Sequence, residues 1–249
     1  MNVGQLFQRY LQDWQKFALV GLGTLLVQIA AAAILLIFSI GMIGTTIFSA
    51  FPMALLDLED APVRTFAMLG AMGGFALVAL IVGVVATGMA AGGLVGSIVG
   101  YRRGEETGLG SFWSYATRHF GKMIVIFFIV FLIALVTAIV NIIPVLGQIA
   151  YFLWLPTAFT TLGVYPAYLV INDGYGPVAA VGKGLEILTS QFGPAVLGGL
   201  LMLLFWAAFG VVGLVPVIGS IAVTIFGYPL MVFFFAERFE SEVRPRLVA

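Results

Sequence analysis

HFGKMIVIFFIVFLIALVTAIVNIIPVLGQIA (residues 119–150) and QFGPAVLGGLLMLLFWAAFGVVGLVPVIGSIA (residues 191–222) align without a gap at a constant offset of 72. Each opens on Phe-Gly, runs through an apolar stretch and ends at a Pro-Val-(Leu/Ile)-Gly corner, with 27 residues from Phe120 to Gly147 and from Phe192 to Gly219. A weaker copy lies upstream at an offset of 103. There KFA (16–18) and IGMIGTTI (40–47) keep the same interval between Phe17 and Gly44. Self-similarity on this scale bears on the architecture before any chemistry enters.

The composition sets the class. The chain is 62% hydrophobic and 9% charged, with a mean hydropathy of +1.15, outside the range of soluble domains. A helix needs about 20 mostly apolar residues to cross a bilayer. Six stretches qualify: 17–39, 66–100, 119–143, 147–171, 192–214 and 218–236. They are continuously apolar rather than alternating, which excludes a β-barrel. The expected fold is all-α, a polytopic membrane protein of six transmembrane helices in three parallel hairpin repeats. One integral membrane domain, 1–249, is expected, with units at about 1–100, 101–172 and 173–240 and a short tail, 241–249.

Six spans sort the connecting segments into two sets. One holds Arg9, Lys16, Arg102, Arg103, Arg118, Lys122, Lys183, Arg238, Arg244 and Arg246; the other holds only Arg64 among the 11 cations. The bias predicts that both termini are cytoplasmic. AAAA at 30–33 imitates a signal-peptide cleavage site, but the apolar run is too long, so an uncleaved first helix is expected. Cysteine is absent, which removes disulfides, thiolate metal sites and a cysteine nucleophile. A formal net charge of zero suggests no nucleic-acid partner.

Extending the alignment backwards lengthens the unit. Val3, Leu6, Phe7, Tyr10, Leu11 and Trp14 share one helix face, opposite Gln5, Arg9, Gln12 and Asp13. Residues 109–120 and 178–192 repeat the pattern. Such segments lie in the headgroup plane. The expected unit is an interfacial helix, a Phe-Gly or Phe-Ala elbow, an outward span, a tight turn and a return span. At the turns, Pro144 and Pro216 stop the incoming helix, and Gly147 and Gly219 admit the reversal. Gly41 replaces the proline in the first copy, where a long outer loop, 44–65, is expected.

The aromatic segment SFWSYATRHFGK (111–122) and the IPVLG and VPVIG corners resemble poorly characterised prokaryotic six-span families, including the membrane domain attached to some glycerophosphodiester phosphodiesterases. The likeness covers about residues 100–240 and implies placement in a prokaryotic inner membrane. No phosphodiesterase domain accompanies it, so it implies no catalytic residue. Mitochondrial carriers share the plan of three parallel two-helix units, but their odd helices end on Pro-x-Asp/Glu-x-x-Lys/Arg. Here the corners read PVLGQI and PVIGSI, without charge, and that family is rejected.

Ionisable residues inside spans mark function, and none falls near the middle of a span here. This argues against a carboxylate relay or an intramembrane metal. His119, the single histidine, sits in a basic cluster without a nearby carboxylate. Arg102, Arg103, Arg118 and Lys122 either attract anionic headgroups or only set topology. The acids Asp57, Glu59 and Asp60 precede Ala61-Pro62 and read as a helix start. Thr157, Thr160, Thr161, Tyr165 and Tyr168 share a face of the fourth span, between Pro156 and Pro166, and either line a translocation path or support packing at the kinks. Gly88, Gly92, Gly96 and Gly100 form three overlapping GxxxG steps that let another helix approach closely, with a partner inside the chain favoured.

The leading expectation is a non-enzymatic protein that organises membrane lipids or other membrane proteins, itself included, without a cofactor. The alternative is a transporter or flippase of a lipid or hydrophobic solute that uses the polar face of the fourth span. No acid, base, nucleophile and metal set can be assembled for an enzyme.

Overall fold

The computed structural model describes residues 3–53, 61–139, 143 and 145–248, with side chains described for all of these except 42–53, 61–69, 71, 72, 146 and 248. Asp57, Glu59, Asp60, Asn141 and Pro144 lie outside the described residues. The elements are α1 (Val3–Gln12), α2 (Trp14–Met53), α3 (Ala61–Arg102), α4 (Leu109–Thr137), α5 (Leu146–Ala158), α6 (Tyr165–Asn172), α7 (Pro177–Ser190), α8 (Phe192–Gly213), α9 (Ile218–Ala222), α10 (Tyr228–Arg238) and α11 (Arg244–Val248). Among the described residues there is no strand.

Five helical stretches are long and apolar enough to cross a membrane: Trp14–Gly41, Gly73–Arg102, Leu109–Thr137, Phe192–Gly213 and Ile218–Leu247. The remaining expected span is helical throughout Leu146–Asn172 but falls outside that set. Its threonines, tyrosines and prolines dilute its hydropathy, and every residue from Thr160 to Ile171 is buried. A helix covered on all sides can carry hydroxyls that a lipid-facing one cannot.

The chain forms two compact units, Met1–Leu26 with Thr87–Ala249, and Val27–Ala86. Within the second, Phe38 stacks on Phe75 with ring centroids 6.3 Å apart, while Ile34, Leu36, Ile37 and Leu77 are exposed. Within the first, the rings of Tyr10, Phe17, Tyr101 and Phe233 form one cluster. Aromatic clusters of this kind combine large buried area with preferred ring geometry.

Proline shapes the helices of the first unit in one recurring way. Among the described residues three π-helical turns occur, Phe159–Val164, Val223–Gly227 and Phe239–Val243, and each is followed by one residue and then a proline: Tyr165-Pro166, Tyr228-Pro229 and Arg244-Pro245. The N–H groups of Tyr165, Tyr228 and Arg244 reach back five residues, to the carbonyls of Thr160, Val223 and Phe239. Widening the turn by one residue relieves the clash between the proline ring and the preceding carbonyl, so the helix continues without a break. Glycines then meet carbonyls of two of these turns. A Cβ on Gly184 of α7 would lie 2.2 Å from the Thr161 oxygen, and one on Gly21 of α2 would lie 2.1 Å from the Ile225 oxygen.

Three details depart from the sequence reading. The loop expected at 44–65 is largely helix, since α2 runs to Met53 and α3 begins at Ala61. Gly41 costs a helix only about 1 kcal/mol and does not stop it as proline does. The Phe-Gly elbow exists only in the third copy, where Gln191 separates α7 from α8. Pro194 sits in the first turn of α8, where its missing N–H costs no helical bond; no proline follows Gly121, and α4 runs straight through. In the first copy the break falls at Asp13, before Phe17. The C-terminal segment is helical from residue 239 to 248, and Val243 is buried.

The corners hold the third departure. Positive φ falls on the valines: Val145 at φ 61, ψ −65 and Val217 at φ 62, ψ −62. The only positive-φ glycines among the described residues are Gly104 and Gly174. The Ile218 N–H donates to the Pro216 carbonyl at 2.7 Å, which closes a γ-turn around Val217. Both corners then add matching bonds, from Gly147 to Ile143 (3.0 Å) and Gly219 to Val215 (2.9 Å), and from Ile149 to Val145 and Ile221 to Val217 (both 3.0 Å). Gly219 serves close approach instead, because a Cβ there would lie 2.0 Å from the Val212 oxygen. We expect Gly219→Ala to destabilise the protein by about 1–3 kcal/mol through overpacking. Val217→Gly is expected to be neutral or stabilising, since a β-branched residue at positive φ is strained. Thermal unfolding in detergent micelles checks the ranking, and the reverse order would return the corner to the glycine.

Candidate functional site

All Asp, Glu, Lys, Arg and His side chains described fall in four segments, 9–16, 102–122, 173–186 and 237–246. Tertiary hydrogen bonds tie these segments to one another within the first unit. The most buried of the charged groups is Arg238, 1% exposed near the end of α10. Its guanidinium donates to three partners: Nη1 to the Tyr165 hydroxyl (2.8 Å), Nη2 to the Pro194 carbonyl (2.7 Å) and Nε to Glu242 (3.1 Å). Arginine suits this role because its donors form a fixed fork and its charge persists when buried. Room for the group comes from Gly198 of α8, where a Cβ would lie 2.6 Å from Nη1. One side chain thereby joins α6, α8 and the C-terminal segment.

A second arginine starts a chain of contacts on the same end. Arg102 donates to the Tyr168 hydroxyl (2.9 Å) and the Ala236 carbonyl (3.3 Å), and pairs with Glu237 (3.3 Å). Tyr168 donates to Glu240 at 2.8 Å, Glu240 accepts from Arg244 at 2.5 Å, and Arg244 also pairs with Asp173. Arg103 donates to the Asn172 carbonyl at 2.9 Å. Linked networks of this kind fix relative geometry more than isolated surface pairs do.

The headgroup candidates therefore divide. Arg102 and Arg103 are engaged with protein groups, whereas Arg118 and Lys122 are exposed, with no hydrogen bond or ion pair among the described residues. His119 stacks on Tyr115 with ring centroids 6.1 Å apart, and its Nδ1 is buried without a partner.

The polar face of the fourth segment turns on itself. Thr157, Thr160 and Thr161 donate to the carbonyls four residues back, Leu153, Pro156 and Thr157, at 3.0, 2.8 and 2.8 Å. Tyr165 and Tyr168 instead reach the arginines. The glycine face of α3 lies against α4: added Cβ atoms would meet Ile124 at Gly88, Met123 at Gly92, Tyr115 at Gly96, and Glu105 and Tyr115 at Gly100. At Gly96 the distance to Tyr115 Cβ would be 2.3 Å. A second small-residue contact went unread in the sequence, where Gly199 of α8 meets Thr157 at 2.0 Å from a would-be Cβ.

Arg238 was also missed as a buried group. A signal existed: Met231, Phe235, Phe239 and Val243, at intervals of four, are all buried and carry the apolar face past residue 236. The first helix is held at the same end. Tyr10 donates to the Phe226 carbonyl at 2.7 Å, Trp14 lies 6.0 Å from Phe226, and Asp13 accepts from Tyr101 at 2.7 Å and pairs with Lys16 at 2.7 Å. Burial pushes the Tyr10 phenol up, while Lys16 and then Tyr101 hold the Asp13 carboxyl below the usual range.

Among the described residues no group of three acidic or histidine side chains is placed to hold a metal ion. No family model matches the chain, and no curated protein does.

Tyr165→Phe removes a neutral acceptor from a buried guanidinium and is expected to cost about 1.5–3 kcal/mol. Lys122→Gln should stay within about 0.5 kcal/mol. Thermal unfolding of both variants checks the contrast. The depressed Asp13 carboxyl contributes stability above its ordinary range and loses it as pH falls through its lowered value. Trp14 fluorescence, taken as the difference from Trp14→Phe, should hold steady from pH 8 to about 5 and change only at lower pH.

Proposed function

We propose that this is a non-enzymatic integral membrane protein that organises lipids or partner membrane proteins on one leaflet. In this reading the chain crosses an inner membrane six times as three parallel hairpins, with both termini in the cytoplasm. The fourth crossing is the Leu146–Asn172 run, shielded over its second half. The shared hydrogen bonds of the two corners support the repeat.

The observation that carries the proposal is the divided apolar face of α1. Leu6 and Tyr10 are buried against the protein, while Val3, Phe7 and Leu11 are 57, 48 and 51% exposed, and Trp14 at the start of α2 is 44% exposed. A helix docked by one edge of its apolar face, with the other edge bare, is suited to lie at the headgroup boundary. In α7 the division recurs, with Ala180, Val181, Ile187 and Leu188 buried and Val178 and Leu185 exposed.

A second reading, transport of a lipid or hydrophobic solute, draws support from the π turn at Phe159–Val164, since such turns recur at functional sites. The threonine hydroxyls weigh against it, because each is already committed to its own helix.

Mass spectrometry of the native protein released from lipid nanodiscs tests the first reading. Retained lipid or a co-purifying membrane protein is expected, and Phe7→Ser with Leu11→Ser should reduce it several-fold at unchanged thermal stability. Recovery as a bare monomer would count against the proposal. Reduced flux in liposomes for Thr161→Ala, with folding intact, would favour transport.

A further inference from the structure

We propose that the exposed face of α4 holds one anionic phospholipid with a single phosphate and an uncharged polar headgroup, the phosphatidylglycerol class, bound through Arg118 and Lys122. The inference rests on the lipid-organising reading and gives it a lipid and a site. The two sides of α4 differ throughout its length. Tyr115, Met123, Ile126, Phe127 and Val130 are buried against the protein. On the other side Arg118, Lys122, Val125, Phe128, Leu132 and Val136 are all exposed. Steps of three and four residues set them in one stripe along the helix.

The stripe changes character once, from cations to apolar side chains between Lys122 and Val125. At the rise of an α-helix, Val125 to Val136 covers about 16 Å, close to half of a hydrocarbon core about 30 Å thick. An acyl chain of one leaflet therefore matches the apolar part, and its phosphate falls level with the two cations. Residues four apart on a helix stand about 5–6 Å from each other at Cβ, near enough for both to reach one phosphate. The arginine offers a fork of N–H groups and the lysine a point charge. Gly121 lies beside them, and a Cβ there would meet nothing within 4 Å, so the headgroup has room against the helix.

The charges around the pair decide which ligand. Neither cation has a hydrogen bond or ion pair among the described residues, and α4 contains no Asp or Glu. Nearby carboxylates are engaged elsewhere: Glu105 accepts from Tyr115 at 2.6 Å, Glu186 pairs with Lys183 at 2.7 Å, and Asp173 and Glu240 share Arg244. Glu106 is exposed ahead of the helix. Arg102 and Arg103 are held by protein groups and bring no negative charge. Two cations without a counter-charge favour a net anion, whereas a zwitterionic lipid would add a third cation to the pair. The same charges disfavour a second copy on this face. Copies in one membrane share their orientation, so a two-fold contact through the stripe would set Arg118 and Lys122 against themselves.

The test uses the full chain in nanodiscs holding equal amounts of dioleoyl phosphatidylglycerol and phosphatidylcholine, followed by native mass spectrometry. Retained phosphatidylglycerol should exceed phosphatidylcholine about threefold or more. Arg118→Gln with Lys122→Gln should bring the ratio to about one at unchanged thermal stability, because neither side chain has a partner among the described residues. Arg9→Gln with Arg246→Gln removes the same charge from two other exposed positions and should keep the ratio. Excess soluble glycerol phosphate should leave the lipid in place, and displacement would overturn the lipid assignment in favour of a free phosphate. A ratio near one in the unaltered chain, or an equal fall in both double variants, overturns the inference. So does a dimer free of phosphatidylglycerol, which would give the stripe to a second copy. Lipid retained without preference leaves the organising function standing, whereas a bare monomer removes both.

Discussion

A backbone carbonyl in an apolar medium must find a donor or a close neighbour, and prolines inside helices put that requirement under strain. This chain places Pro156, Pro166, Pro229 and Pro245 within helical segments that are otherwise continuous. A widened turn precedes three of them, threonine hydroxyls cover carbonyls around the first, and glycines of neighbouring helices come against the turns that result. The close contacts at Gly21 and Gly184 therefore have a common origin. At these two places helix packing follows where proline has disturbed the hydrogen bonding.

The sequence carried the helical class, because continuous apolar runs admit no other secondary structure in lipid. It also carried the importance of the α3 glycines, since a four-residue spacing of small side chains has one physical use. Corner geometry was less legible. Proline and glycine advertise a turn, yet which residue takes positive φ depends on whether the following backbone is crowded. At Gly219 the crowding by Val212 claims the glycine, and the unusual angle passes to Val217. The first hairpin misled for a simpler reason, in that a glycine at a corner position permits a helix to continue.

Arg238 illustrates a different limit. A cation just past an apolar run reads as a surface charge, and composition cannot distinguish that from a buried one. The distinction lies in partners that are far apart in sequence: Tyr165, Pro194 and Gly198 each contribute one requirement, a hydroxyl, a carbonyl and an absent side chain. The charged end of the first unit is thus built from specific contacts, and most of its arginines are committed to the fold. Arg118 and Lys122 remain outward, and a membrane surface can still attract them.

The two corners share their backbone angles and their hydrogen bonds at a fixed offset. Around Val145 and Val217 each stretch carries its own closing bonds within a few residues. Under the proposed repeat, the connecting helices are free to diverge while the two reversals stay alike. The invariant of this architecture is a short length of backbone, and the side chains between the corners are where one copy can acquire a role that the others lack.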